Sequence, residues 1–188
     1  MKKVLYFAAL MLAATLTSCD KEDIGGTAVE SMAGQWYVDV DAVDEDGNVI
    51  EGGEHYFDWD EDRVMILTYN TSDNSRSEMY IDDIYENFNL AYYYGYDAYP
   101  NYSIKSKVNV DLKTLTFSSV EADNELGDYP VTIEGGKILK GAGRQNNGSP
   151  ADSIVFYVRY TGDPWYPEDG YDRYRVSGIR YSGLVEND

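Results

Sequence analysis

The sequence predicts an all-β protein: a single antiparallel up-and-down barrel of about eight to ten strands, led in by a short N-terminal helical turn. Three observations carry this. Nineteen tyrosines, three tryptophans and many valines favour extended, half-buried backbone over helix. Between Gly34 and Tyr181 almost no segment has the apolar spacing of a helix, whereas short alternating runs recur throughout. The connections between runs are short, so sequence neighbours pair as hairpins. A sandwich satisfies that pattern too, but closure into a barrel removes the exposed strand edges.

The elements follow in order. Residues 1–18 read as a signal peptide: Lys2 and Lys3 form a charged start, and Val4 to Leu16 an apolar run too short to span a bilayer as a stable helix. Residues 19–26 are an acidic linker beginning at Cys19, and residues 27–188 are the barrel domain. Thr27-Ala28-Val29-Glu30 fits a capping box, which starts a helical turn ending at Met32 or Ala33. The first strand, 36–43, alternates Trp36, Val38, Val40 and Ala42 against Tyr37, Asp39 and Asp41, then turns through Asp44-Glu45-Asp46-Gly47-Asn48. Further strands are expected at 55–59, 64–70, 78–85, 103–110, 114–119, 131–134, 137–139, 153–160 and 174–181. In a closed antiparallel meander the first strand starts beside the end of the last, so Trp36 should neighbour Arg180. Arg175 faces the other side of that strand.

Charge and cysteine content narrow the function. The chain has 15 basic and 34 acidic residues, and removal of Lys2 and Lys3 with the signal peptide takes the net charge from −19 to −21. Such a surface repels nucleic acid and anionic headgroups. Cys19 is the only cysteine, so no intramolecular disulfide forms and the fold rests on its core.

Several segments resemble known families. Leu16-Thr17-Ser18-Cys19 resembles the lipobox of bacterial lipoproteins, which implies cleavage before Cys19 and its acylation. Several acyl chains anchor durably where one does not. Asp20-Lys21-Glu22-Asp23 resembles the surface-export signal of Bacteroidetes lipoproteins, and serves equally as a solvated linker. The implied location is the cell envelope, lipid-anchored to the outer membrane, with the periplasmic and outer faces both open. A short helix leading into Gly34-Gln35-Trp36 resembles the calycins, the lipocalin-like barrels. In these the tryptophan plugs the closed end and a terminal-strand arginine stacks on it. Carried over, the barrel-closing pair is Trp36 and Arg180, a cation–π contact worth up to about 2 kcal/mol.

The likeness extends across Gly25-Gly26-Thr27-Ala28, Met32-Ala33-Gly34-Gln35-Trp36-Tyr37-Val38, Leu67-Thr68-Tyr69-Asn70-Thr71, Tyr80-Ile81-Asp82-Asp83, Ala151-Asp152-Ser153-Ile154-Val155-Phe156-Tyr157 and Tyr174-Arg175-Val176-Ser177-Gly178. Together these resemble the Bacteroidetes lipoprotein family called lipid-binding putative hydrolase. The resemblance implies a calycin-like barrel that binds lipid, and assigns no catalytic residue.

The residues themselves offer hydrolysis little. There is no Gly-x-Ser-x-Gly elbow and no His-Glu-x-x-His, and His55 is the single histidine. It reads as a surface or turn residue. Asp82 and Asp83 are adjacent on a strand and face opposite ways, so they cannot flank one glycosidic bond; Asp58 with Asp60 is a pair of the kind that chance supplies in so acidic a chain. Asp58-x-Asp60-x-Asp62 starts like an EF-hand, but Arg63 stands where glycine is needed and Tyr69 where glutamate is needed. No catalytic residue, metal site or cofactor is therefore assigned.

The inward face supplies the expected ligand contacts: Val38, Val40, Val108, Phe117, Phe156 and Val158, with Val110, Leu115 and Ile154 beside them and Arg159 facing out. An eight-stranded barrel is just wide enough either to be filled by its own side chains or to hold one small ligand. Two ring clusters, Tyr92-Tyr93-Tyr94-Gly95-Tyr96 with Tyr99 and Tyr102, and Trp165-Tyr166 with Tyr171 and Tyr174, suit packing over the rim or stacking on a glycan. The expected role is a membrane-anchored lipoprotein that binds a lipid or other apolar small molecule without catalysis. The competing roles are a surface glycan-binding module, a structural envelope lipoprotein and a weak hydrolase.

Overall fold

A computed structural model describes residues 26–57, 64–90, 99–166 and 170–184. Eight strands form a closed barrel in sequence order: β1 (Gly34–Ala42), β2 (Val64–Asn70), β3 (Glu78–Asp82), β4 (Lys105–Asp111), β5 (Thr116–Ala122), β6 (Val131–Arg144), β7 (Pro150–Tyr160) and β8 (Tyr174–Arg180). Every pairing is antiparallel, and β8 returns to β1 with Trp36 opposite Arg180 and Ala42 opposite Tyr174. The meander is the expected one. Closure leaves no strand of the barrel with an unpaired edge.

Ten expected runs become eight strands for two reasons. The run 55–59 is not a strand over its described part. Residues 55–57 are a turn, fixed to β1 by Tyr56 N–H donating to the Val40 carbonyl at 2.7 Å and His55 N–H to Asp41 at 3.2 Å. The runs 131–134 and 137–139 are one strand, β6, bent at a bulge and not ended by it. There Gly135 takes φ 60°, a left-handed conformation that suits glycine, and the register against β7 slips between Glu134 and Lys137. Leu115 lies in the β4–β5 turn at φ 55° instead of on a strand, and packs only partly buried against the core.

The N-terminal segment forms hydrogen-bonded turns in place of a helix. Ala33 N–H donates to the Val29 carbonyl at 2.9 Å and Glu30 N–H to Thr27 at 3.0 Å, while Ala28 N–H is taken by the Asn74 side chain at 2.7 Å. So few residues cannot propagate a helix before Gly34 begins the sheet. The turns carry Val29 and Met32, both at 0% exposure, into the core.

Alternation sends Val38, Val40, Val108, Phe117, Ile154, Phe156 and Val158 inward, joined by Ile66, Met79, Ile81, Ile133 and Val176. Phe117 and Phe156 meet edge to face at 5.6 Å between centroids. Asp41 and Arg175 sit opposite each other on the outer face and pair at 2.7 Å.

Candidate functional site

The barrel interior is mostly apolar, interrupted by the buried hydroxyls of Ser106 on β4 and Ser119 on β5, and most of the polar chemistry lies at its two mouths. At one mouth Trp36 is fully buried, and its indole N–H donates to the Thr68 hydroxyl at 2.9 Å. Thr68 in turn donates to the Met32 carbonyl at 2.7 Å, tying the N-terminal turns to β2. The Arg180 guanidinium lies 4.5 Å from the Trp36 ring centroid, donates to the Ala33 carbonyl and approaches Asp152 at 3.3 Å. Gly34 leaves room for the arginine: a Cβ there would meet Arg180 Nη1 at 2.5 Å and push the guanidinium aside. Burial raises the Asp152 carboxyl, but hydrogen bonds from Lys140 and Gly141 N–H and the charges of Lys140 and Arg180 outweigh it and hold it below the usual range.

The opposite mouth is closed by rings from two connections and the first residue of β8. Phe57 comes from β1–β2, Phe88 and Tyr102 from β3–β4, and Tyr174 from the start of β8. Each is at most 2% exposed. Phe57 meets Phe88 at 4.9 Å and Tyr174 at 5.5 Å between centroids; Tyr102 meets Tyr160 at 4.8 Å. Tyr99 and Trp165 stack at 5.4 Å farther out.

Polar groups thread this cap. Tyr102 donates its hydroxyl to Asp163 at 2.6 Å, and Tyr160 donates to the Tyr102 carbonyl at 2.6 Å. Burial raises both hydroxyls well above the ordinary tyrosine range, and the Asp163 bond raises Tyr102 further. Asp83, at 0% exposure, accepts from Phe88 N–H at 3.0 Å and from the Asn87 amide at 2.9 Å. Desolvation pushes its carboxyl up to about 6 despite those bonds. Asp83 thus staples the loop that carries Phe88.

The six expected ligand contacts have exposures of 0–3%: Phe156 0%, Val38, Val108 and Val158 1%, Val40 2% and Phe117 3%. The walls of a ligand-sized void stay accessible to water-sized spheres, so along these residues the side chains fill the barrel. Phe117 meets Phe156, and its edge also lines an open groove of about 450 Å³ with Val110, Thr116, Gly135 and Gly136.

The residues weighed for catalysis are dispersed. His55 is on the surface, its side chain 60% exposed and its Nδ1 3.6 Å from Asp39. Asp82 faces outward and accepts from the Tyr69 hydroxyl at 2.5 Å, while Asp83 faces the cap, so the two carboxyls diverge. The Asp44–Asn48 segment is a turn, closed by Asp44 N–H to the Asn48 carbonyl at 2.9 Å and by Asn48 N–H to the Asp44 carboxylate at 2.8 Å. Among the described residues no group of three or more His, Cys, Asp or Glu is placed to hold a metal ion. Cys19, Asp58, Asp60, Asp62 and Tyr92 to Tyr96 lie outside the described residues.

Sequence reasoning missed the cap residues Phe57, Phe88, Asp83 and Asp163. Phe57 falls in an expected strand at 55–59 that is a turn over its described part, and Phe88 lies in a polar loop where no periodicity marks it. The one available signal for Asp83 was the doubled Asp82-Asp83 at the end of a strand, where the alternation must turn one carboxyl inward.

No curated protein matches the chain. The family model described as lipid-binding putative hydrolase matches residues 21–185, nearly the whole of the barrel and its lead-in. With its closed apolar barrel and that match, the chain belongs to the lipid-binding putative hydrolase family.

Proposed function

We propose that the protein is a lipoprotein anchored through Cys19 to the outer membrane, and that it binds an apolar or amphipathic molecule without catalysis at the ring-capped mouth of the barrel. The observation that carries this reading is the contrast in closure. A largely apolar interior ends at rings borne mostly on loops, with carboxylate and hydroxyl groups among them. An apolar tail gains about 25 cal/mol for each Å² it buries there, and a polar head finds Asp163 and the Tyr102 and Tyr160 hydroxyls. Because the interior is filled, binding requires the Phe57 and Phe88 rings to swing aside. The family match supports a lipid ligand.

The filled interior also favours a second reading, a purely structural envelope barrel. One titration separates the two. Residues 20–188 are mixed with an environment-sensitive fluorescent fatty acid, as wild type and as Phe88→Ala. Saturable binding by wild type, strengthened in Phe88→Ala, supports lipid binding. No binding by either supports the structural barrel. Anchoring has its own test: Cys19→Ala should lose the detergent-phase partitioning of the wild type, because no other thiol exists to accept a lipid.

A further inference from the structure

We infer that a groove outside the barrel, between the β1–β2 and β7–β8 connections, binds an uncharged carbohydrate. The groove has a volume of about 400 Å³. Its apolar lining includes Ile50, Tyr166 and Tyr171. Tyr166 is 48% exposed, in a connection whose other rings, Trp165 and Tyr171, pack against Tyr99 and Tyr56. A half-exposed ring lining a groove offers its face to a pyranose, whose C–H face is apolar and whose rim is hydroxyl.

The rest of the lining is polar and ion-paired. Arg159 Nη2 donates to both oxygens of Glu45 at 3.0 and 2.8 Å, and its Nη1 meets Asp172. Arg173 donates to the carbonyls of Asp44 and Glu45 at 3.3 and 3.2 Å, while its guanidinium lies 3.8 Å from the Tyr157 ring centroid. Each carboxylate accepts about four hydrogen bonds, so Glu45 and Asp172 keep lone pairs for sugar hydroxyls. Their pairing with Arg159 biases these carboxylates toward the groove, which lowers part of the ordering cost of binding.

Charge selects among ligands. Asp44, Glu45 and Asp172 outnumber Arg173 on the lining and, even with Arg159 behind it paired to Glu45 and Asp172, leave the groove net negative in a chain that carries −19. Uronic and phosphorylated sugars are repelled. An acyl tail is disfavoured as well, since it would strip water from carboxylates and return no hydrogen bond. An uncharged sugar meets neither penalty. The inference stands apart from lipid binding at the mouth because it rests on Tyr166, which is not one of the cap rings; Tyr171 beside it borders the cap through Tyr174.

The test is isothermal titration of residues 20–188 with a panel of uncharged gluco-, manno-, galacto- and xylo-oligosaccharides, an oligouronate and a lysine-rich peptide. Wild type should bind at least one uncharged oligosaccharide. Tyr166→Ala should weaken it roughly tenfold or more, and Tyr166→Phe should keep it within about threefold, because the ring and not the hydroxyl does the stacking. Both variants should melt with wild type and leave fatty-acid probe binding unchanged. No uncharged sugar bound, equal affinity in Tyr166→Ala, or binding of only the uronate or the peptide would overturn the inference.

Discussion

The two mouths of this barrel are closed by different means. At one, Trp36 sits on a strand and is fastened by Thr68, Arg180 and the N-terminal turns, all tied to backbone carbonyls or to the sheet. At the other, three of the four central rings, Phe57, Phe88 and Tyr102, sit on connections outside the named strands, and Phe88 is held by the buried carboxylate of Asp83. A plug mounted on a strand moves only if the sheet moves. A plug mounted on a loop moves at the cost of a few contacts, so the ring-capped mouth is the one suited to opening.

The largest effect should come from the fastened mouth. Trp36→Ala removes a fully buried indole from a wall that cannot collapse, and should cost about 3 to 5 kcal/mol in denaturant unfolding. Phe88→Ala should cost less, about 3 kcal/mol, because its loop can settle into the space. Equal or reversed costs would erase the contrast between the mouths.

Much of the fastened mouth was legible in the sequence, and little of the cap. Once the chain reads as a closed meander, topology alone sets Trp36 beside Arg180, and strand alternation alone turns Arg175 the other way. The six interior positions follow from the same period of two. Nothing comparable predicts where Phe57 or Phe88 lies, because a ring in a loop is placed by tertiary contacts such as the Asp83 staple. The β6 bulge escaped for a related reason: Gly135-Gly136 looks like a strand end until both neighbouring strands are seen to pair across it.

Asp83 gives the next effect and a sharper view of the cap. Its carboxyl rises from 3.8 to about 6 on folding, so the native state holds the proton more tightly than the unfolded chain. Between about pH 4 and pH 6 this group therefore lowers stability as pH rises, by up to about 3 kcal/mol, and the penalty persists above pH 6. Asp152, held low, acts in the opposite sense at more acidic pH. Thermal unfolding of wild type and Asp83→Asn from pH 4 to 7 should show the variant gaining on wild type as pH rises. Parallel curves would mean that the staple carries no desolvation cost.

The smallest effect is the Trp36–Arg180 contact itself. A double-mutant cycle should give a coupling of about 1 to 2 kcal/mol, and a value indistinguishable from zero would leave Arg180 as a partner of Asp152 and Ala33 alone.

The most direct test of ligand binding at the ring-capped mouth is an amide and indole NMR titration of residues 20–188 with a medium-chain fatty acid. The account predicts saturable shifts at the Phe88 and Tyr102 amides and an unmoved Trp36 indole N–H, which is fixed on Thr68. Shifts centred on Trp36, or no shifts at ligand excess, would contradict it.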